Sequence, residues 1–375
     1  MRAITSLPQD QDRQSGFARY QATRHFGSLD GLRFLCITAV LWHHAPIWTQ
    51  MADPARILTR GFLGVDFFFV LSGFLITTLL LREEEAKGRF SLRGFYWRRI
   101  LRIIPVYFLV VTAVGGYYIF VKGQTHYLAQ WPYYYLFLSN FLTDHIPLLA
   151  PTWSLSVEEQ YYMVWPLVLM LLPRRLILPI LAGLIALNLL AVTGRLAGVG
   201  IVPFTAGPLR FEMFTATYTP ILMGAGLGLI LHRASGFALC ARLFAPPAVP
   251  ALLFVGLAVL IHILPPNLAG WPNLVLHLVM TACLACLVIR EDNILRPMLT
   301  LRPVVWIGTI SYGIYLYHLI ALHIATVAVT AMGTLHPALH VLLYLGVTCL
   351  IAGFSFRYFE RPILKLRHKS MINDP

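Results

Sequence analysis

Ten long apolar stretches follow one another along this 375-residue chain, and that succession restricts its fold more than any other feature. They are read at 31–50, 62–81, 104–122, 154–173, 176–193, 212–231, 248–264, 273–289, 304–325 and 338–358. Each is near the roughly 20 residues that a helix needs to cross a bilayer. Inside hydrocarbon every backbone polar group must be bonded internally, so such stretches predict helices rather than irregular chain. Charged residues make up only 12% of the sequence, about half the share of a soluble domain. The predicted fold class is an all-α polytopic membrane protein with about ten transmembrane helices.

An even number of spans places both termini on one side. With the N-terminus inside, 23 of the 29 Lys and Arg fall in inner segments and five in outer ones, with Arg33 inside the first span. That asymmetry is the orientation signal of a membrane protein, and it accounts for the net charge of +13 without nucleic acid. The aromatic segment WPYYYLFLSNF (131–141) is too short to span and reads as a re-entrant or interfacial piece on the outer face. Residues 1–28 are polar, lack the apolar run of a signal peptide, and read as a cytoplasmic tail. Residues 29–362 form the transmembrane domain and 363–375 a second cytoplasmic tail. Cys283 and Cys286 make a CxxC inside HLVMTACLACLVI with no second ligand pair, so core packing is expected there and no metal.

The ionisable groups inside the apolar stretches are not explained by topology, and such groups are costly enough to mark function. Arg33 and His44 lie eleven residues apart in LDGLRFLCITAVLWHH. On a helix this is about three turns, one face, and roughly 16 Å along the axis. Asp66 in GVDFFFVLSGF, Glu158 and Glu159 in PTWSLSVEEQYYMVWP, and His318 in ISYGIYLYHL are expected at the depth of His44. A histidine near a carboxylate is the usual route to a general base near neutral pH. Each residue also has a plainer reading. His43, about 100° from His44 on the helix, suits an interfacial or packed histidine. Asp66 suits a first-turn carboxylate favouring the helix dipole. One of Glu158 and Glu159 suits a capping-box partner of Ser154 or Ser156, and His318 suits a packed histidine. In FYWRRILRIIPVYFL, Arg99 and Arg102 share a helix face. They serve equally as positive-inside anchors or as bidentate donors to phosphate.

Together these segments, with the closing YFERP, resemble the membrane-bound acyltransferase-3 family, bacterial enzymes that O-acylate cell-surface glycans and some small molecules. The family's motif of Arg, ten residues and His falls on Arg33 and His44. Its RxxR falls on Arg99 and Arg102, and its glutamate motif on SVEEQ. The resemblance implies a stand-alone form without the C-terminal esterase-like domain of many relatives. It implies acetyl-CoA or another acyl-CoA as co-substrate, bound from the cytoplasm by Arg99, Arg102 and Arg33. His44 is then the general base, and Glu158 or Glu159 orients its imidazole. Asp66, Ser72, Tyr312 and His318 remain pocket candidates. The expected setting is the bacterial inner membrane, with a saccharide acceptor that is free or lipid-linked; a homodimer is compatible. The competing class is a proton-coupled transporter built on the same histidines and carboxylates, disfavoured by the lack of an inverted repeat. A small-molecule acceptor such as a macrolide is the other alternative.

Overall fold

The computed structural model describes residues 16–50, 55–200, 202–211, 216–333 and 336–369. Most of them are helical. The principal helices are α1 (Ser28–His43), α2 (Leu63–Lys87), α3 (Leu92–Gly116), α4 (Thr152–Leu171), α5 (Arg174–Val192) and α6 (Thr219–Leu231). They continue as α7 (Ala234–Phe244), α8 (Val249–Ile263), α9 (Trp271–Ile289), α10 (Arg302–Thr309), α11 (Ser311–Ala331), α12 (Pro337–Ser355) and α13 (Arg361–Lys369). A small antiparallel hairpin, β1 (Phe204–Ala206) with β2 (Leu209–Phe211), lies between α5 and α6.

Among the described residues each apolar stretch read from the sequence is largely helical, but they do not all make spanning helices. Among the described residues, six helices are long and apolar enough to cross a membrane: α2, α3 with its π turn to Val121, α5, α9, α11, and α12 with its extension. The pair α6 and α7 would make a seventh, broken span, bent by 110°. Helices α1 and α8 are shorter than a bilayer crossing, and α4 carries Glu158, Glu159 and Gln160 in its middle. The stretch 304–325 breaks at Ile310, between α10 and α11. The chain is therefore a multi-pass, almost wholly helical membrane protein.

Local chemistry sets the element ends. Gly88 closes α2 in the left-handed region (φ 74°), which costs a glycine little. Ser91 then caps α3, its Oγ accepting from the Gly94 amide at 3.0 Å. At the end of α8 the guanidinium of Arg60 donates to the carbonyls of Ile261 (2.7 Å), Leu264 (3.0 Å) and Pro265. Those carbonyls have no partner within the helix, and Arg60 supplies one. The aromatic segment 131–141 forms only the short helix Trp131–Tyr135 and a 3₁₀ turn, Ser139–Phe141. It is tied to α3 by Tyr107, whose hydroxyl donates to the Tyr134 carbonyl at 2.9 Å, and by Trp131 Nε1 on the Val111 carbonyl.

Helix α2 is the axis of the packing. Phe69 and Ile76 face a core made with α3, α4 and α11, while Phe74 and Leu71 face a second core with α6, α7 and α9. Its closest neighbour is α6. A Cβ at Gly73 would lie 2.0 Å from the Ile221 carbonyl oxygen, and one at Gly224 2.0 Å from that of Val70. Small residues at a crossing let two backbones touch, as membrane helices require when no water drives them together. The segment before α1, expected as a tail, is docked from residue 16 on: Tyr20 and Phe26 are buried, and Arg82 donates to the Tyr20 and Thr23 carbonyls. Residues 1–15 and 370–375 of the two expected tails lie outside the described residues.

Candidate active site

Helix α1 carries Arg33 one turn from its start and delivers His44 at its C-terminal cap. Each takes its first partner from its own helix. Asp30 sits in the first turn and its Oδ1 accepts from the Arg33 guanidinium at 2.5 Å. His44 Nδ1 lies 3.0 Å from the Val40 carbonyl oxygen. A carbonyl can only accept, so Nδ1 carries the proton and Nε2 keeps its lone pair. His43 Nδ1 instead meets the Thr59 carbonyl at 2.7 Å, and its ring packs on Phe62.

The expected layer of five ionisable groups divides into three. His44 meets His318, ring centroids 4.8 Å apart. His318 is fully buried; its Nδ1 faces the Tyr315 carbonyl at 2.6 Å, and its Nε2 has no partner among the described residues. By the same reasoning its free lone pair is also on Nε2. Tyr315 is held in turn by Ser154 at 2.7 Å and by the Pro151 carbonyl at 3.0 Å.

The glutamates make their contacts elsewhere, and among the described residues neither is hydrogen-bonded to His44. Glu158 accepts from Ser72 Oγ at 2.6 Å and lies within electrostatic reach of Arg99, Arg102 and Tyr162. The Nδ1 proton it would have taken from His44 is already on Val40. Glu159 neighbours Glu158 and Arg99, and its Oε1 is buried with no partner among the described residues. Neither caps α4. The helix starts after Pro151, and the Ser154 hydroxyl turns back to the Pro151 carbonyl.

Asp66 makes the third group. It stands in the first turn of α2, as a dipole-favouring carboxylate would, but its Oδ2 meets His277 Nε2 of α9 at 3.2 Å. His277 is 2% exposed, so the pair is an interior tie between two helices.

Arginines from two helices converge. Arg102 has Arg33 of α1, Arg99, Tyr162 of α4 and Glu360 from the π turn after α12 as charge neighbours. It is nonetheless exposed. Charged and phenolic groups from several elements thus gather around an exposed guanidinium. The Arg99 guanidinium lies over the Tyr162 ring, 5.0 Å from its centroid, a stacking that fixes its plane. Glu360 accepts from Ser355, which also meets Tyr317. Tyr312 donates to the Ile103 carbonyl at 2.9 Å and has Glu159 and Glu360 as neighbours. Guanidiniums that neighbour one another, Arg33 and Arg99 about Arg102, can serve as a donor set for phosphate oxygens. The histidine pair, about 16 Å along α1 from Arg33, carries two ring nitrogens, Nε2 of each, that are not taken up by the backbone carbonyls.

An acyltransferase-domain family profile matches residues 26–357, which takes in both the arginine group and the histidine pair. The chain belongs to the acyltransferase-3 family. The peptidoglycan O-acetyltransferase OatA of Listeria monocytogenes is 30% identical over 371 residues, covering 91% of this chain and 56% of that protein. The YrhL protein of Bacillus subtilis is 30% identical over 370 residues, covering 92% of this chain and 56% of its own. The chain thus spans about half the length of the curated relatives it matches. No solved structure matches it.

Sequence reasoning passed over four residues that the structure places in or beside these groups. Asp30 was visible as an i, i+3 partner of Arg33. Glu360 stood in the quoted YFERP and Tyr162 in the quoted SVEEQYY. His277 was a histidine inside an apolar stretch, and that alone marks a candidate.

Proposed function

We propose that this chain is an integral-membrane O-acyltransferase that moves an acyl group, most simply acetyl, from acyl-CoA to a hydroxyl of a cell-surface glycan. One observation carries the reading. The Val40 carbonyl fixes the His44 tautomer so that Nε2 is the basic nitrogen, at the far end of the stripe that begins with Arg33. Family membership and a relative named as a peptidoglycan O-acetyltransferase support the same chemistry.

Arg33, Arg99 and Arg102 hold the phosphates of the nucleotide by charge-assisted hydrogen bonds. The extended pantetheine arm then runs along α1 and brings the thioester to His44. His44 Nε2 takes the proton of the acceptor hydroxyl as its oxygen attacks the thioester carbonyl. A carbon–oxygen bond forms, the carbon–sulfur bond breaks, and the imidazolium returns the proton to the departing thiolate. His318, with a free Nε2 and its ring packed on His44, accepts a hydrogen bond from a second hydroxyl of the acceptor and orients it. Glu158, on Ser72 and beside Arg99 and Arg102, positions the arginines rather than the imidazole. The donor side is cytoplasmic and the acceptor side outer, with both termini inside the inner membrane, in keeping with the 23 inner and five outer basic residues.

The test is mass spectrometry of surface glycans from strains carrying the native chain, a deletion, or His44→Ala. The mass of one acyl group disappears in the deletion and in His44→Ala, with the variant still inserted in the membrane. Full acylation by His44→Ala overturns the assignment.

A further inference from the structure

Ahead of α4, the loop around residues 140–145 and the hairpin close around a cavity of about 520 Å³. Its walls hold Asn140, Thr143, His145, Trp153, Arg210 and Tyr218. One wall is a connected polar network. Gln160 of α4 donates through Nε2 to Asn140 Oδ1 and to the Phe137 carbonyl, both at 2.8 Å. The Tyr218 hydroxyl donates to Gln160 Oε1 at 2.6 Å. Phe137 is the sole non-glycine with positive φ (53°) among the described residues, and the strained position directs its carbonyl to Gln160. His145 Nδ1 is buried without a hydrogen-bond partner among the described residues.

A run of contacts links the cavity to the histidine pair. Trp153 is followed by Ser154, which meets the Tyr315 hydroxyl; the Tyr315 carbonyl accepts from His318, and His318 packs on His44. Glu158, five residues after Trp153 and about 7.5 Å further along α4, lies by the arginines. Helix α4 thus runs from the cavity towards the arginines. An indole face beside an amide, a phenol and an imidazole suits a pyranose, whose C–H face stacks on aromatic rings while its hydroxyl and acetamido groups take hydrogen bonds. A volume of this size takes about one or two sugar rings.

We propose that this cavity is the acceptor subsite and binds one or two rings of a surface oligosaccharide, stacked on Trp153 and hydrogen-bonded by Asn140, His145 and Tyr218. The role as acceptor subsite rests on the acyltransferase reading; the binding of sugar does not.

The purified 375-residue chain in nanodiscs is mixed with a soluble tetramer of β-1,4-linked N-acetylglucosamine. Saturation-transfer NMR reads binding, and acetyl transfer from acetyl-CoA reads turnover. Saturation of the sugar is expected with the native chain. Trp153→Ala and His145→Ala weaken it about tenfold, with a matching rise in KM for the tetramer and a KM for acetyl-CoA within about twofold. Should Trp153→Ala not fold, His145→Ala, altered in a loop, carries the test alone. Saturation absent with the native chain, or unchanged in the variants, overturns the proposal. Variant-sensitive binding without acetyl transfer by the native chain upholds the sugar site and overturns the acyltransferase reading instead.

Discussion

His44 and Arg33 share one stripe of α1, yet their immediate environments are set by short-range partners, Val40 and Asp30. The consequence for His44 is a single basic nitrogen, so its replacement removes general-base catalysis and little else. His44→Ala is expected to lower kcat for acetyl-CoA-dependent transfer by about 10²–10⁴, read as thiol release in the presence of acceptor. Arg99 lies over Tyr162 and beside Glu158. A lysine there keeps the charge but loses the planar fork, so Arg99→Lys should raise KM for acyl-CoA about tenfold while kcat changes far less. A kcat loss with unchanged KM would move Arg99 out of donor binding.

At the scale of elements, α2 is fastened on two sides by different physics. Its contact with α6 is backbone on backbone, so Gly224→Ala forces a methyl against the Val70 carbonyl. That should cost about 1–3 kcal/mol, measurable as a lower unfolding temperature in detergent. Its contact with α9 is the Asp66–His277 pair. Removing either partner leaves the other buried and unsatisfied, at about 1–3 kcal/mol. The double variant Asp66→Ala with His277→Ala should lose less than the sum of the single losses. Strict additivity would show that the pair contributes nothing. Two further breaks are tertiary features: the 110° bend between α6 and α7, and the interruption at Ile310, where Gly308 packs against the Asp30 carbonyl. Apolar periodicity runs through such breaks without marking them.

For the whole molecule, basic-residue asymmetry predicts that the turn after α2 is inside and the turn after α3 outside. Lys87 and Lys122 are both exposed at those turns. With the native cysteines removed, Lys122→Cys should react with a membrane-impermeant maleimide in intact cells and Lys87→Cys only after lysis. The reverse pattern would invert the proposed direction of transfer. The sequence determined the helical class, because long apolar stretches leave the backbone no other way to satisfy its polar groups in a bilayer. It also determined the Arg33–His44 stripe, because 3.6 residues per turn bring positions eleven apart onto one face. Only the tertiary structure decided the partners. Asp66 joins His277, 211 residues away, and Glu158 joins Ser72, 86 residues away, instead of His44. Helical periodicity tells which face a side chain occupies and roughly how deep it lies. It carries no information on which other helix packs against that face, and that packing decides whether a buried carboxylate meets an imidazole or an arginine.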